Sequence, residues 1–299
     1  MNGRPPRVGL NLFVDESFRA AAGPLFEAGL VDALEWDVDE SWGWGEGERR
    51  RALPPWVDQL LDLYGDDDAL YGHGVWFSLM SARWEARQDR WLEHLTQACQ
   101  RRRYRHLSEH FGFHTASHYS RGTMFPVPYS EGAVCVGRDR LRRLAAAAGV
   151  PVGVENAAVA LGAADAEEQG RFLEELLAPG DDFLLLDLHN LWTQCRNLGL
   201  DAEALLPRFP LGRVRELHVS GGSWYQPTVD PTRGPFRLDS HDGPVPDEAL
   251  ALLPRTLRHC PNVEVVFLEH RGAHLDNADA IARYQSDFMR LRALVESSA

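Results

Sequence analysis

Eight short apolar runs, each followed by a longer amphipathic or charged segment, constrain this chain more than any other feature it carries. Residues 8–14, 32–38, 70–77, 104–108, 152–154, 183–186, 214–219 and 263–268 read as strands. Residues 18–28, 56–63, 84–102, 130–148, 167–177, 201–206, 247–258 and 278–295 read as helices. Strands alternating with helices build a parallel sheet covered by those helices. Phe183 to Leu186 has no polar residue, as expected of a strand buried on both faces. An open doubly wound sheet would want a glycine-rich phosphate loop after an early strand, and no G-x-G-x-x-G occurs. Eight repeats instead close into a (β/α)8 TIM barrel. The 299 residues slightly exceed the roughly 250 typical of that fold. No Gly/Ser or Pro-rich linker, repeat or low-complexity tract divides them, so residues 1–299 are expected to form a single TIM-barrel domain.

The polar residues that interrupt this pattern are not scattered evenly. His73, His110, Glu155, Asp187, Asn190, His218, Asp239, His241 and Glu269 mostly lie at or just after the ends of the third to eighth runs. In a barrel of parallel strands those ends converge on the face where chemistry is done.

Taken singly, each residue has an ordinary explanation. A strand histidine such as His73 is often a hydrogen-bonded core residue. His110 follows Glu109, which competes as a ligand or as the outer partner a ligating histidine needs. Glu155 and Glu269 end buried runs, a costly placement unless they are paired or metal-bound. Asp187 and Asn190 suit a helix N-terminus as well as a ligand pair. By strand alternation His218 faces away from Leu217 and Val219. Asp239-Ser-His241 is either a polar loop or a chelate of oxygen and imidazole nitrogen. Together, nine nitrogen and oxygen donors exceed the roughly four to six that one ion takes, so the pattern suggests two or three metals. The donor types suit iron, zinc or manganese. No thiolate joins them, so a structural zinc is not expected.

Charge and cysteine usage narrow the function. A net charge of -13 repels phosphate backbones. The basic runs Arg49 to Arg51 and Arg101 to Arg103 read as solvated helix faces, and no nucleic-acid partner is expected. Cys99, Cys135, Cys195 and Cys260 include no C-x-x-C pair, which reads as reduced thiols and a cytoplasmic location. The first residues lack a signal-peptide apolar core, and no stretch approaches about 18 apolar residues. No membrane partner is expected.

Several stretches carry a resemblance. They are Pro126-Val-Pro-Tyr-Ser-Glu-Gly-Ala133, Val154-Glu-Asn156, Leu184-Leu-Leu-Asp-Leu-His-Asn190 with Asn197-Leu-Gly199, Glu216-Leu-His-Val-Ser-Gly-Gly222, Leu238-Asp-Ser-His-Asp-Gly-Pro-Val245 and Phe267-Leu-Glu269. From about His73 to Arg271 the chain resembles the DUF692 family of multinuclear non-haem iron-dependent oxidative enzymes (MNIO), which includes methanobactin biosynthesis proteins. The order of donors also looks like the wider xylose isomerase-like barrel superfamily, endonuclease IV included.

The resemblance implies a di- or tri-iron centre of mixed Fe(II)/Fe(III) that uses O2. It implies oxidation of a residue, often cysteine, in a ribosomally synthesised precursor peptide, usually with a partner protein that presents the peptide. Its ligands would be His73, His110, Glu155, Asn190, His218, Asp239, His241 and Glu269, with Asp187 a ligand or an outer partner. Glu155 would bridge two irons, and His218 and Asp239 would stand with it as catalytic residues. His189, Glu109, His270 and Arg271 are candidate outer partners, and Trp76, Trp192, Trp224 and Tyr225 candidate linings of the mouth.

This chain departs from the pattern in three places. His189 precedes Asn190 where the family has paired asparagines. Glu155-Asn-Ala-Ala-Val159 stands for the family's E-N-P-S-S. The first two strands, with Glu35-Trp-Asp-Val38 and the Trp42/Trp44 loop, match only loosely, so the substrate is not carried over. Two other readings stand beside this one. One is a metal-dependent sugar isomerase or zinc phosphodiesterase on the same barrel. An isomerase would want a lysine near the metal, and the cations of this chain are arginines. The other is a barrel that binds a peptide or partner without turnover.

Overall fold

The computed structural model describes residues 5–42, 52–116, 119–178, 180–228 and 234–298. Trp44, most of the loop from Glu40 to Glu48, and Arg49 to Arg51 lie outside those residues.

Eight strands form the barrel: β1 (Arg7–Leu12), β2 (Ala33–Asp37), β3 (Leu70–Gly74), β4 (Leu107–His110), β5 (Val152–Glu155), β6 (Phe183–Asp187), β7 (Val214–Ser220) and β8 (Val265–Glu269). Each pairs in parallel with its sequence neighbours, and β8 pairs with β1 to close the ring. The helices are α1 (Glu16–Glu27), α2 (Pro55–Asp66), α3 (Ala86–Arg101), α4 (Glu131–Ala148), α5 (Ala163–Leu177), α6 (Leu188–Leu198), α7 (Ala202–Leu205), α8 (Asp247–Leu250), α9 (Leu253–His259) and α10 (Ala278–Ser297). The expected barrel is the fold.

The strands sort their side chains by alternation. Leu10, Leu34, Leu184, Leu186, Leu217 and Val266 join the main core between sheet and helices. Fully burying one such side chain contributes roughly 1.5–3 kcal/mol. The alternate positions Ala33, Tyr71, Val265 and Phe267 form a separate, much smaller apolar cluster inside the ring. Glycines make room for the aromatic rings of the strands. A Cβ at Gly9 would stand 2.4 Å from the Phe267 ring, and one at Gly153 2.3 Å from the Phe183 ring. With so small an apolar plug, the remaining inward positions towards the strand ends are polar, and these build the site.

Four details differ from the sequence reading. Strand β4 begins at Leu107, not at Tyr104, so His110 is its last residue instead of following it. The stretch expected as a loop from Phe111 to Tyr129 contains an antiparallel pair, Phe113–Ala116 with Tyr119–Phe125, closed by the stacked rings of Phe113 and Phe125. The helix after β6 is α6, which the reading placed only at 201–206. It starts without a loop, because Asp187 ends the strand and caps the helix, its Oδ1 accepting from Asn190 N at 2.7 Å. Gly199, at φ 69°, ends it in the left-handed conformation that glycine tolerates. Finally, residues 247–258 break into α8 and α9, with Pro254 in the first turn of the second.

A candidate metal centre at the barrel mouth

The strand ends gather His73, His110, Glu155, Asp187, Asn190, His218 and Glu269. The loop after β7 adds Asp239 and His241. All nine fall in one cluster, which runs from β3 round the barrel to that loop.

His73 sits on β3 and His110 on β4. The Ser108 hydroxyl faces the Gly72 carbonyl at 3.4 Å, so its oxygen accepts from His73 Nδ1 at 2.7 Å. His110 Nδ1 donates to the Gly74 carbonyl at 3.1 Å. Both rings therefore keep their protons on Nδ1 and turn Nε2 inward. The two Nε2 atoms lie 3.5 Å apart, and Glu155 Oε2 lies 3.6 Å from one and 3.4 Å from the other. Edges near 3.5 Å are those of ligands roughly 2.1 Å from a shared tetrahedral ion. Without a cation, two nitrogen lone pairs would face each other.

Glu155 reaches further. Its Oε1 accepts from Asn190 Nδ2 at 2.9 Å. Its carboxylate belongs to one close donor group with His73 and His110 and to a second with Asp187 and His218. Asp187, His241 and Glu269 make a third. Asp239 Oδ1 lies 2.7 Å from His241 Nε2 and 3.5 Å from His189 Nδ1. His241 holds a left-handed backbone, φ 52°, which costs about 1–3 kcal/mol, and its Nε2 lies 3.7 Å from Glu269 Oε2.

Several buried atoms here have no hydrogen-bond partner: Asp187 Oδ2, His189 Nδ1, Asn190 Oδ1, His218 Nδ1 and Glu269 Oε2. His218 Nδ1 and Glu269 Oε2 lie 3.0 Å apart without the geometry of a hydrogen bond. Leaving buried polar groups unsatisfied costs about 1–3 kcal/mol each, so such crowding in one place needs a compensating ligand. Imidazole nitrogens and carboxylate oxygens aimed at common points fit metal ions.

The electrostatics agree. Burial, then the neighbouring Asp187, pushes the Glu155 carboxyl well above its usual range. Burial, then Asp239 and Glu269, raises Asp187 to about 6. Burial and the neighbouring imidazoles hold His73 well below its ordinary value, so it stays neutral. Burial opposes the charged form of Asp239, but His241 and His189 prevail and hold it well below the carboxylate range. Without a cation the cluster splits. Glu155 and Asp187 are pushed towards the neutral form. Burial opposes the charge on His218 and His241, but the neighbouring carboxylates prevail, raise both well above their ordinary value and hold a positive charge among them, a charge that a metal ion would replace.

The outer candidates separate. His189 is buried against Asp239, with Nε2 3.3 Å from Thr193 Oγ1. Glu109 instead accepts the backbone N–H groups of Ser78 and His110, at 2.9 and 3.0 Å. His270 turns away and packs on Tyr284. Arg271 meets the centre only by its backbone, N donating to the His241 carbonyl at 2.7 Å. Trp76 and Trp192 are half-buried, whereas Trp224 and Tyr225 are 48% and 42% exposed. The Arg237 guanidinium lies over both Trp192 and Trp224.

The sequence reading missed a set of residues next to the centre. Asn11, Glu35 and Asp37 come from β1 and β2, and His106 and Glu216 lie deeper inside. The signal that could have found them was polar residues two apart in otherwise apolar strands: Glu35-x-Asp37 and Glu216-x-His218.

A family model described as RiPP precursor modification enzyme MbnB/TglH/ChrH matches residues 52–287. A curated UPF0276 protein of Anaeromyxobacter sp. (strain Fw109-5) is 29% identical over 241 residues, covering 76% of this chain and 81% of that protein. Among solved structures, endonuclease IV from Thermus thermophilus superposes with a TM-score of 0.56 at 16% identity, covering 98% of this chain and 100% of that one. A xylose isomerase-like TIM barrel protein from Mycobacterium smegmatis, in complex with magnesium, superposes with a TM-score of 0.54 at 11% identity, covering 99% and 98%. At those identities the likeness to solved structures shows the fold alone.

Proposed function

The chain belongs to the MbnB/TglH/ChrH family of RiPP precursor modification enzymes, and from that premise we propose that it oxidises a cysteine of a ribosomally synthesised precursor peptide, using two or three iron ions and O2. The observation that carries the reading is Glu155, whose carboxylate is shared between two donor groups, as a bridge between ions requires.

His73 and His110 would hold one ion through Nε2, with Glu155 as the shared ligand. Asp187, His218, Asp239, His241 and Glu269 would hold the rest, and the unpartnered Asn190 Oδ1 is free to serve either. When bound, iron supplies one-electron redox chemistry and Lewis acidity. The protein's own contribution is position and charge. Ser108 and Gly74 fix two imidazole tautomers, Asn190 orients Glu155, and Asp239 stays anionic. Trp224 and Tyr225 offer apolar surface for a peptide, and Arg237 a cation for its carboxylates or carbonyls. A partner protein presents the peptide, and the four free cysteines suit work in the cytoplasm.

The test is turnover. Iron-loaded protein, O2 and a Cys-containing candidate precursor peptide are followed by mass spectrometry. The expected result is an O2-dependent mass change on a cysteine fragment. An unchanged peptide, with hydrolytic or isomerase activity under zinc or manganese, contradicts the reading.

A further inference from the structure

Beneath the mouth lies a second set of charged side chains that no role above explains. Glu35 and Glu216 are fully buried, one on β2 and one on β7. Each carboxylate has one oxygen tied from the far side. Asn11 Nδ2 donates to Glu35 Oε2 at 2.9 Å, and His106 Nε2 donates to Glu216 Oε2 at 2.9 Å. His106 is itself wedged between the rings of Tyr71 and Phe183, with centroids at 4.6 and 4.4 Å. Both carboxylates turn their remaining oxygen to the same atom. Glu35 Oε1 is hydrogen-bonded to His218 Nε2 at 3.2 Å, whereas Glu216 Oε1 stands 3.5 Å from it as an ion-pair contact without a hydrogen bond, and the three side chains also form a close donor group.

We propose that Glu35 and Glu216, braced by Asn11 and His106, are positioning residues for His218, Glu35 accepting its Nε2–H and Glu216 adding a second negative charge beside it, so that this histidine meets the metal centre through Nδ1. The inference rests on the metal-centre reading above and deepens it. A ring nitrogen that donates its proton has no lone pair left for a metal. The opposite nitrogen is the one without a hydrogen bond, 3.0 Å from Glu269 Oε2, which has none either. His218 thus differs from His73 and His110, whose Nδ1 atoms are tied and whose Nε2 atoms face the centre. Two carboxylates on one imidazole make it a more basic ligand and fix its plane. Because β7 and β8 are in register at His218 and Phe267, the Phe267 ring also packs against it, with centroids 5.9 Å apart.

The first test is a crystal structure of wild-type protein loaded with Fe(II) without oxygen, with anomalous scattering at the iron edge. The inference expects His218 Nδ1 on an ion and no ion between Glu35 and Glu216. An ion at Nε2, held by those two carboxylates as a further metal site, overturns it while leaving the metal-centre reading intact. No iron anywhere at the mouth overturns both. The second test titrates Fe(II) into Glu216→Gln and His106→Gln, with thermal unfolding of the metal-free proteins as control. Affinity falling by about 10- to 100-fold in the loaded site is expected of a partner to a ligand. Unchanged affinity in both variants, with only the metal-free melting temperature lowered, assigns the pair a purely structural role and overturns the inference.

Discussion

The two ends of this barrel handle charge in opposite ways. At the end where strands begin, charges are matched in direct pairs. Arg105 reaches Glu264 at 2.7 Å and Asp68 at 2.8 Å, and Arg292 reaches Asp32 at 2.8 Å. All but Arg292, which reaches in from α10, stand just before strands, and all are partly in water with cations and anions in contact. At the end where strands finish, carboxylates and imidazoles are buried together, and Asp187 Oδ2, His189 Nδ1, His218 Nδ1 and Glu269 Oε2 have no hydrogen-bond partner. The first arrangement closes the barrel and is complete in itself. The second leaves buried donors and acceptors unmatched within the protein, which is the ground for proposing a metal centre there.

The comparison breaks if the mouth tolerates losses as the other end does. The largest effect is expected for Glu155→Ala. Losing the shared carboxylate should lower peptide turnover by about 1,000-fold or more, beyond the roughly 10- to 100-fold of removing an outer partner. It should also lower the metal count, with little loss of metal-free stability. Turnover within tenfold of wild type would remove Glu155 from the centre. Next comes Ser108→Ala, which frees His73 Nδ1. Metal affinity should fall by about 10- to 100-fold while the fold persists, as a metal titration would show. Chelation of the loaded protein ranks third. At metal concentrations about 100 times Kd, binding adds about 2.7 kcal/mol, so unfolding scans should show a clear loss on stripping.

A pH experiment sharpens the contrast further. Burial, offset in part by His218, raises Glu35 from 4.5 to about 8. The folded state then keeps a proton that the unfolded state has released. That contribution is fully present below about 4.5 and is lost as pH rises to about 8. Metal-free wild type should therefore lose stability relative to Glu35→Gln across that window in denaturant titrations. A difference independent of pH would contradict it. The smallest effect belongs to the other end. Arg105→Ala should cost about 1 kcal/mol or less and leave metal content and turnover unchanged.

Much of this was legible in the sequence, and the physical reason is burial. A parallel strand covered on both faces must be apolar, so Phe183–Asp187 and Val265–Glu269 stand out, and a carboxylate ending such a run stands out more. Most of the mouth residues share one property that sequence shows: a position at or just after a strand end. Helix α6 was harder to see because its first turn is made of site residues, and Asp187 serves strand, cap and cluster at once. The hairpin within 113–125 gave no clear alternation. The pairs beneath the mouth were hidden for another reason. His106 and Glu216 are 110 residues apart in sequence, and only barrel closure brings them to 2.9 Å. His106 falls within the 104–108 run that reads as a strand, whereas the strand itself starts one residue after it.

The central claim is that the mouth is a multinuclear iron site, and metal analysis tests it most directly. The protein would be purified without oxygen, its metals measured by elemental analysis, and its iron examined by Mössbauer and EPR spectroscopy. The account expects two or three irons per chain with antiferromagnetically coupled or mixed-valence signals, lost in Glu155→Ala. Zinc or manganese with no tightly bound iron, even after anaerobic reconstitution, would contradict it.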